Sequence, residues 1–307
     1  MTTTEPMAAE ADAPGRLVEL TMLNVMGGAD FDESIARHRE WGMRWVDLKD
    51  AIYGKDLKDL TVDEAQRAAA ALDAAGLRVY CLSSVLLGGD ATAGEEAFAG
   101  QDLADLDHVL RLAEVLRPRF VRLLGAQLPG RRELDGDAVE HVRREHPYVV
   151  PAYRRAIDAI ADAGFEATIE NEAWDCMLST TAEFRGFFDA LERPGAVSLT
   201  WDAQNQWATG VKPTLEVYEG LRDLIAFYHV KGGRSDGDGE RLDLNVALEE
   251  ASWPVAEVTQ RIVDDGVSPV ICLNPPSHGR PIDGYEYGDA VTTRDLAFLR
   301  SAVRGIA

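Results

Sequence analysis

The residues that can do chemistry in this chain sit in short polar clusters, each closing an apolar run. Glu170-Asn171-Glu172 follows Ala167-Thr168-Ile169, Asp202 follows Leu199-Thr200-Trp201, His229-Val230-Lys231 follows Phe227-Tyr228, and Asn274 follows Ile271-Cys272-Leu273. The first three runs end in carboxylate, carboxylate and imidazole, in that order. Brought together, the acids would repel one another, and a divalent cation would resolve the repulsion. Mixed oxygen and nitrogen donors suit Mn, Mg, Co or Zn. Each residue also has a plainer explanation. Asp202 stands where a helix N-cap would stand, and a single buried histidine is ordinarily a hydrogen-bonded core residue. Lys231 shares the face of His229 by the two-residue strand period, and Glu172 shares that of Glu170. Lys231 then either donates to a substrate oxygen or offsets the acids, and Glu172 is either functional or a solvated loop acid.

Around these groups stand candidates for binding. Trp174 and Trp207 follow two of the runs by one loop each and either stack on a sugar ring or fill core. Arg234, His278 and Arg280 are placed to hold a hydroxyl, carboxylate or phosphate, whereas Arg131-Arg132 and Arg143-Arg144 flank acids and read as solvated. No Walker or HExxH spacing occurs, so P-loop and zincin chemistry have no support.

The elements that must position these residues are legible as an alternation. Strand-like runs fall at 17–23, 44–49, 77–83, 119–124, 165–170, 197–202, 225–231 and 267–274, with helical spacing between them, as at Leu103, Leu106, Leu110 and Ala113. Thr61 and Thr180 each precede a glutamate by three residues, the signature of a capped helix start. Gly42, Gly76, Gly164 and Gly266 mark helix ends. Eight such units predict a single (β/α)₈ TIM barrel of the α/β class, which leaves no edge strand. The rival doubly wound sheet would carry a glycine-rich phosphate turn, and Met26-Gly27-Gly28-Ala29 is too weak for one. The long connections, 50–60, 84–100, 125–146 and 275–291, all follow strands and read as loops at the C-terminal mouth, where barrel enzymes place their chemistry. Residues 1–15 read as a flexible tail and 16–307 as the barrel domain.

Composition narrows the partners. Among 307 residues, 31 Lys and Arg face 53 Asp and Glu, a formal charge of −22. Such a field opposes nucleic acid and anionic membranes. Three dispersed cysteines fit a reducing compartment, and neither a signal peptide nor a membrane span is read in the chain. A cytoplasmic protein acting on a small molecule is expected.

The series Ile-Glu170-Asn171, Trp-Asp202-Ala-Gln-Asn205, Tyr-His229-Val-Lys231 and Ile-Cys-Leu-Asn274-Pro275 resembles the sugar phosphate isomerase/epimerase family of xylose isomerase-like TIM barrels. The resemblance runs from Leu17 to Arg304. It implies one divalent metal held by Glu170, Asp202 and His229, with Asn274 in the place of the family's fourth ligand, a glutamate. It also implies a substrate contact at Asn205 and a homo-oligomer, a dimer or tetramer. Asparagine can offer a carbonyl oxygen to a metal but cannot accept a substrate proton. The expected activity is isomerisation or epimerisation of a sugar-like molecule through an enediolate. Glu170 is a ligand and base, Glu172 a replacement proton carrier, and Lys231, Asn205 and Arg234 orient hydroxyls. The missing glutamate keeps two alternatives open: a dehydratase or lyase that needs one base, and a decayed barrel used for binding. Endonuclease chemistry fits poorly with the charge.

Overall fold

The eight apolar runs form eight strands: β1 (Glu19–Thr21), β2 (Trp45–Leu48), β3 (Arg78–Leu82), β4 (Phe120–Leu124), β5 (Glu166–Glu170), β6 (Val197–Asp202), β7 (Ile225–Val230) and β8 (Val270–Leu273). The computed structural model describes residues 17–28, 30–236, 242–275 and 289–307. The strands form one parallel sheet in which neighbours in sequence are neighbours in space from β2 to β8, and β8 returns to pair with β1. The barrel is nearly closed. Between β1 and β2 the ladder reduces to one bridge, Leu23 with Asp47, where the Asp47 amide donates to the Met22 carbonyl at 3.0 Å. Side chains reinforce this seam. Arg44 pairs with Glu19 at one end. At the other, Asn24 accepts from the Lys49 amide at 2.7 Å and donates to the Asp50 carbonyl at 2.7 Å.

Helices α1 (Phe31–Glu40), α2 (Val62–Ala75), α3 (Gln101–Leu116), α4 (Ala138–Glu145), α5 (Val149–Asp162), α6 (Thr181–Leu191), α7 (Ala203–Ala208), α8 (Leu215–Leu221), α9 (Val255–Asp265) and α10 (Asp289–Ala302) lie between and after the strands. Capping boxes form at Thr61 with Glu64 and at Thr180 with Glu183. Helix α2 ends where Gly76 takes φ 71°, a left-handed conformation that glycine adopts without a Cβ clash. The segment 125–146, expected as a loop, contains α4. Asp137 caps it by accepting from the Glu140 amide at 2.9 Å, and Val139 and Val142 bury one face. The segment 84–100 likewise ends in a π-helical turn, Glu96–Gly100, that runs into α3. No described helix is long and apolar enough to cross a membrane.

Side chains inside the barrel stack in layers, as alternation along each strand requires. Trp45, Tyr80, Phe120 and Phe227 form an aromatic layer, with Tyr80 and Phe227 at a centroid distance of 5.0 Å. Burial of each such ring contributes about 1.5–3 kcal/mol. Two residues further along their strands come Asp47, Arg122 and His229. The aromatic layer is therefore the floor of a polar one, and the His229 ring stands edge-on to Phe227 at 4.7 Å.

Candidate active site

That polar layer draws on six strands, four of them at their ends. Glu170 ends β5, Asp202 ends β6, His229 lies one residue from the end of β7, and Asn274 follows β8. His229 Nδ1 is 3.0 Å from Glu170 Oε1 and 4.0 Å from Asp202 Oδ2. One donor atom from each of Glu170, Asp202 and His229 lies within 4.8 Å of the others. All three residues are buried. The Asn274 amide nitrogen approaches His229 Nδ1 to 3.2 Å, and its oxygen accepts from the Cys272 thiol at 3.3 Å. A half-turn of that amide would exchange the two atoms.

Local structure explains how these groups are held. Asp202 is indeed the N-cap of α7, accepting from the Asn205 amide at 2.9 Å through Oδ1, while Oδ2 stays on the His229 side. The plain explanation of Asp202 therefore holds through Oδ1, and Oδ2 is left on the side of the cluster. Asn171, between the two glutamates, bridges the strand ends. It accepts from the Asp202 amide at 2.9 Å and donates to the Asp202 carbonyl at 2.8 Å. Beneath the acids, the Thr168 and Thr200 hydroxyls meet at 2.7 Å.

Two residues of this layer escape a reading based on strand ends. Arg122, in the middle of β4 and 2% exposed, pairs with Glu170 through Nη1. It also donates to the Ser84 carbonyl at 3.2 Å and the Ser83 carbonyl at 3.1 Å. Asp47, in β2, accepts from the Ser83 hydroxyl and lies 3.4 Å from His229 Nε2 without the alignment of a hydrogen bond. Its charge favours a proton on Nε2, as that of Glu170 favours one on Nδ1. The signal for both was present: a single charge inside Phe-Val-Arg122-Leu-Leu and inside Trp-Val-Asp47-Leu, where burial demands a partner.

Electrostatics separate the two glutamates. Burial alone would raise the Glu170 carboxyl, but His229 and Arg122 hold it well below the usual carboxylate range. Glu172, half-buried two residues past the end of β5, is pushed up, first by burial and then by the charge of Glu170. His229 is disfavoured as a cation by burial, yet Glu170 beside it lifts its pKa well above that of free imidazole. Lys231 is buried just past β7. Its Nζ lies 2.6 Å from Asp202 Oδ2 and donates to Asn205 Oδ1 at 3.2 Å.

The remaining candidates divide. Asn205 has its side chain engaged within the protein, by Lys231 and by donation to the Asn171 carbonyl at 3.0 Å. Arg234 is not brought to the cluster. It sits on a small antiparallel ribbon, its guanidinium 3.7 Å from Asp243. Trp174 and Trp207 line a neighbouring cavity with Arg131 and Arg132. Of the arginines expected in solvent, Arg131 is half-buried against Glu183 at 2.5 Å. His278 and Arg280 lie outside the described residues.

The three buried acids, Asp47, Glu170 and Asp202, face two fixed cations, Arg122 and Lys231. The layer therefore keeps an excess of negative charge, which a cation, or a proton on His229, neutralises. Oxygen, oxygen and imidazole nitrogen directed at one point fit a divalent metal.

Comparison with known proteins agrees with the barrel fold. The sequence model of the xylose isomerase-like TIM barrel family matches residues 35–302. The fold is similar to that of the probable 3-DHS dehydratase AsbF from Bacillus anthracis, at 14% identity over 92% of this chain and 98% of that one, TM-score 0.67. It is similar to 3-keto-D-glucoside 4-epimerase, YcjR, from E. coli, at 14% identity over 93% and 100%, TM-score 0.68. A xylose isomerase-like TIM barrel protein from Mycobacterium smegmatis in complex with magnesium aligns at 16% identity over 94% and 96%, TM-score 0.66. At these identities the likeness shows the fold alone. No curated protein sequence matches the chain.

Proposed function

Because the chain belongs to the xylose isomerase-like TIM barrel family, we propose that it is an enzyme that moves a proton beside the carbonyl of a polyhydroxylated, sugar-like molecule. The observation that carries this reading is the convergence of Glu170, Asp202 and His229 Nδ1 on one point above an aromatic floor. Glu170, Asp202 and His229 would hold one divalent cation, with the Asn274 carbonyl as a fourth donor after its amide turns. A bound cation would supply polarisation of the substrate carbonyl and its neighbouring hydroxyl.

The chain's own residues supply the rest. Glu170, paired with Arg122 and His229, is too acidic in this setting to be an effective base, so its part is to hold the cation. Glu172 is the better proton carrier, because burial and a neighbouring acid raise its affinity for a proton. Lys231 fixes Asp202 and Asn205, which keeps the start of α7 rigid beside the reacting centre. Arg122 holds the Glu170 oxygen that faces away from His229.

One observation favours elimination as the second reading. Asn274 stands where a second carboxylate would be needed for two-sided proton transfer, so one carrier must suffice. A dehydratase or lyase needs only one.

The deciding experiment is metal analysis of the purified protein, followed by deuterium exchange from solvent into a panel of ketoses. Metal with exchange supports isomerisation or epimerisation, and metal with loss of water from a substrate supports elimination. Full metal occupancy in both Asp202→Ala and His229→Ala would refute the ligand assignment. No metal uptake from added Mn²⁺ would refute the metal-dependent reading altogether.

A further inference from the structure

His229 has two ring nitrogens, and the function proposed above uses one. Nδ1 is turned to Glu170 and Asp202, whereas Nε2 is buried and makes no hydrogen bond among the described residues. Two further donors stand on the Nε2 side. Asp47 Oδ2 lies 3.4 Å from Nε2, and the Cys272 thiol is directed at the same Oδ2 at 3.7 Å. One donor atom from each of the three residues lies within 4.8 Å of the others, and all three side chains are buried. Neither Cys81 nor Cys176 belongs to such a group among the described residues.

The spacing is that of ligands around a shared point. Asp47 and His229 approach each other without the alignment of a hydrogen bond, as two donors do when both aim at a third atom. Around tetrahedral zinc, bonds of about 2.0 Å to oxygen and nitrogen and about 2.3 Å to sulfur set the ligand atoms about 3.3–3.6 Å apart. The two distances here, 3.4 and 3.7 Å, lie close to those edges. Local structure holds the donors in place. The Ser83 hydroxyl occupies Asp47 Oδ1, so Oδ2 is the oxygen left to the cluster. Thr21 is the partner of Cys272 across the ladder of β1 and β8, and its hydroxyl is buried with no hydrogen bond among the described residues. A spare oxygen donor therefore stands on the strand beside the thiol.

Charge favours occupation. Asp47, Glu170 and Asp202 outnumber Arg122 and Lys231 by one. A divalent ion that binds sulfur drives the thiol proton to solvent. Ion and thiolate together add one positive charge, which cancels the excess. The thiolate also selects the ion, since sulfur prefers zinc and its softer relatives to Mg or Mn.

We propose that Asp47, His229 Nε2 and Cys272 form a second metal site, selective for a thiophilic divalent ion such as Zn²⁺ or Cd²⁺, whose occupation excludes the cation held through His229 Nδ1. A neutral imidazole has one lone pair and one N–H. When Nε2 binds metal, the proton sits on Nδ1 and faces Glu170; when Nδ1 binds metal, it sits on Nε2 and faces Asp47. Each tautomer meets a carboxylate, so His229 serves either site but not both. The site itself stands on these three residues, and only the exclusion rests on the ligand set proposed above.

The test uses the full chain, stripped of metal, with cadmium and manganese as probes. A cadmium–thiolate bond gives a charge-transfer band in the ultraviolet difference spectrum, and the electron paramagnetic resonance of free Mn²⁺ reports how much manganese is bound. The band should saturate at one equivalent of cadmium, vanish in Cys272→Ser and persist in Cys81→Ser and Cys176→Ser. Bound cadmium should weaken manganese binding at least about tenfold, and Cys272→Ser should need at least about tenfold more cadmium for the same displacement. Asp47→Asn, which keeps the thiol and the shape of the side chain, should keep the band at an affinity at least about tenfold lower; it decides the matter if Cys272→Ser does not fold. No band, a band that survives in Cys272→Ser, native cadmium affinity in Asp47→Asn, or full manganese binding beside the band would each overturn the proposal. A band in a protein that never binds manganese would leave the thiolate site standing while the proposed function fails. Manganese binding without a band would do the reverse.

Discussion

Arg122→Met is the most informative single change, because it removes one charge from the buried layer without emptying the space. The guanidinium makes three contacts there, to Glu170 and to the carbonyls of Ser83 and Ser84. Removing Arg122 leaves Glu170 charged and buried with His229 as its remaining partner, at a cost of up to about 3–5 kcal/mol. For a chain of this size about 2 °C of Tm corresponds to each kcal/mol, so the variant should melt lower in EDTA by up to about 6–10 °C. The same loss frees a Glu170 oxygen for a cation. Saturating Mn²⁺ at about a hundred times its Kd adds about 2.7 kcal/mol to any binding-competent fold, and the variant should gain more than the native chain does under equal Mn²⁺. Circular dichroism melts of both proteins, with EDTA and with Mn²⁺, measure the two quantities. Arg122→Lys keeps the charge but not the planar fork and should fall between them. A variant that melts with the native chain in EDTA would show that Arg122 does not compensate Glu170, and the charge argument for the site would fail.

Three further outcomes follow from the structure. Glu172→Gln should keep fold and metal content but lose solvent exchange into the substrate; exchange at the native rate would return Glu172 to the class of loop acids. Asp295, buried on α10, is pushed up to about 7 by burial and by the charges of Glu249 and Glu250, which outweigh the Leu248 amide donating to it at 2.8 Å and the charge of Arg294. The folded state then binds the proton more tightly than the unfolded chain, so the stability this group contributes is whole below its unfolded pKa and is lost as pH rises through about 7. Asp295→Asn should therefore gain about 4 kcal/mol on the native chain between acid and neutral pH; parallel stability curves from urea unfolding would contradict this. At Gly232, next to Lys231, an added Cβ would collide with the Val246 carbonyl. Gly232→Ala should cost about 1–3 kcal/mol and displace Lys231 from Asp202, read as lower Tm with lower activity; a native melting curve would show that the 246 segment yields easily.

The strand positions were legible because each run is bounded by polar residues and followed or preceded by a capped helix. Val197–Asp202 agrees to the residue, while Lys231 and Asn274, read as strand, fall just outside it. The candidate cluster was legible for the same reason, since Glu170, Asp202 and His229 stand at or beside strand ends. Arg122 and Asp47 were not, because their roles depend on which strands face each other across the barrel, and a one-dimensional pattern carries no such distance. Helix α4 was obscured by the acids and arginines around it, although Asp137 three residues before Glu140 was a readable start. Asn205 is a different case: its position was read as a substrate contact, and the structure adds that its polar atoms engage Lys231 and Asn171.

The single bridge that joins β1 to β2 has a dynamic consequence. Asp47 gives its amide to that bridge and its carboxylate to the surroundings of His229 Nε2. Breathing of the barrel at its weakest edge would therefore withdraw the charge that orients the imidazole, so wall and imidazole would loosen in one motion. A ligand that locks His229 in place would in turn slow the opening of the edge. Hydrogen exchange at the Asp47 amide, a backbone position in the wall of the barrel, thus becomes a gauge of what is bound at its mouth.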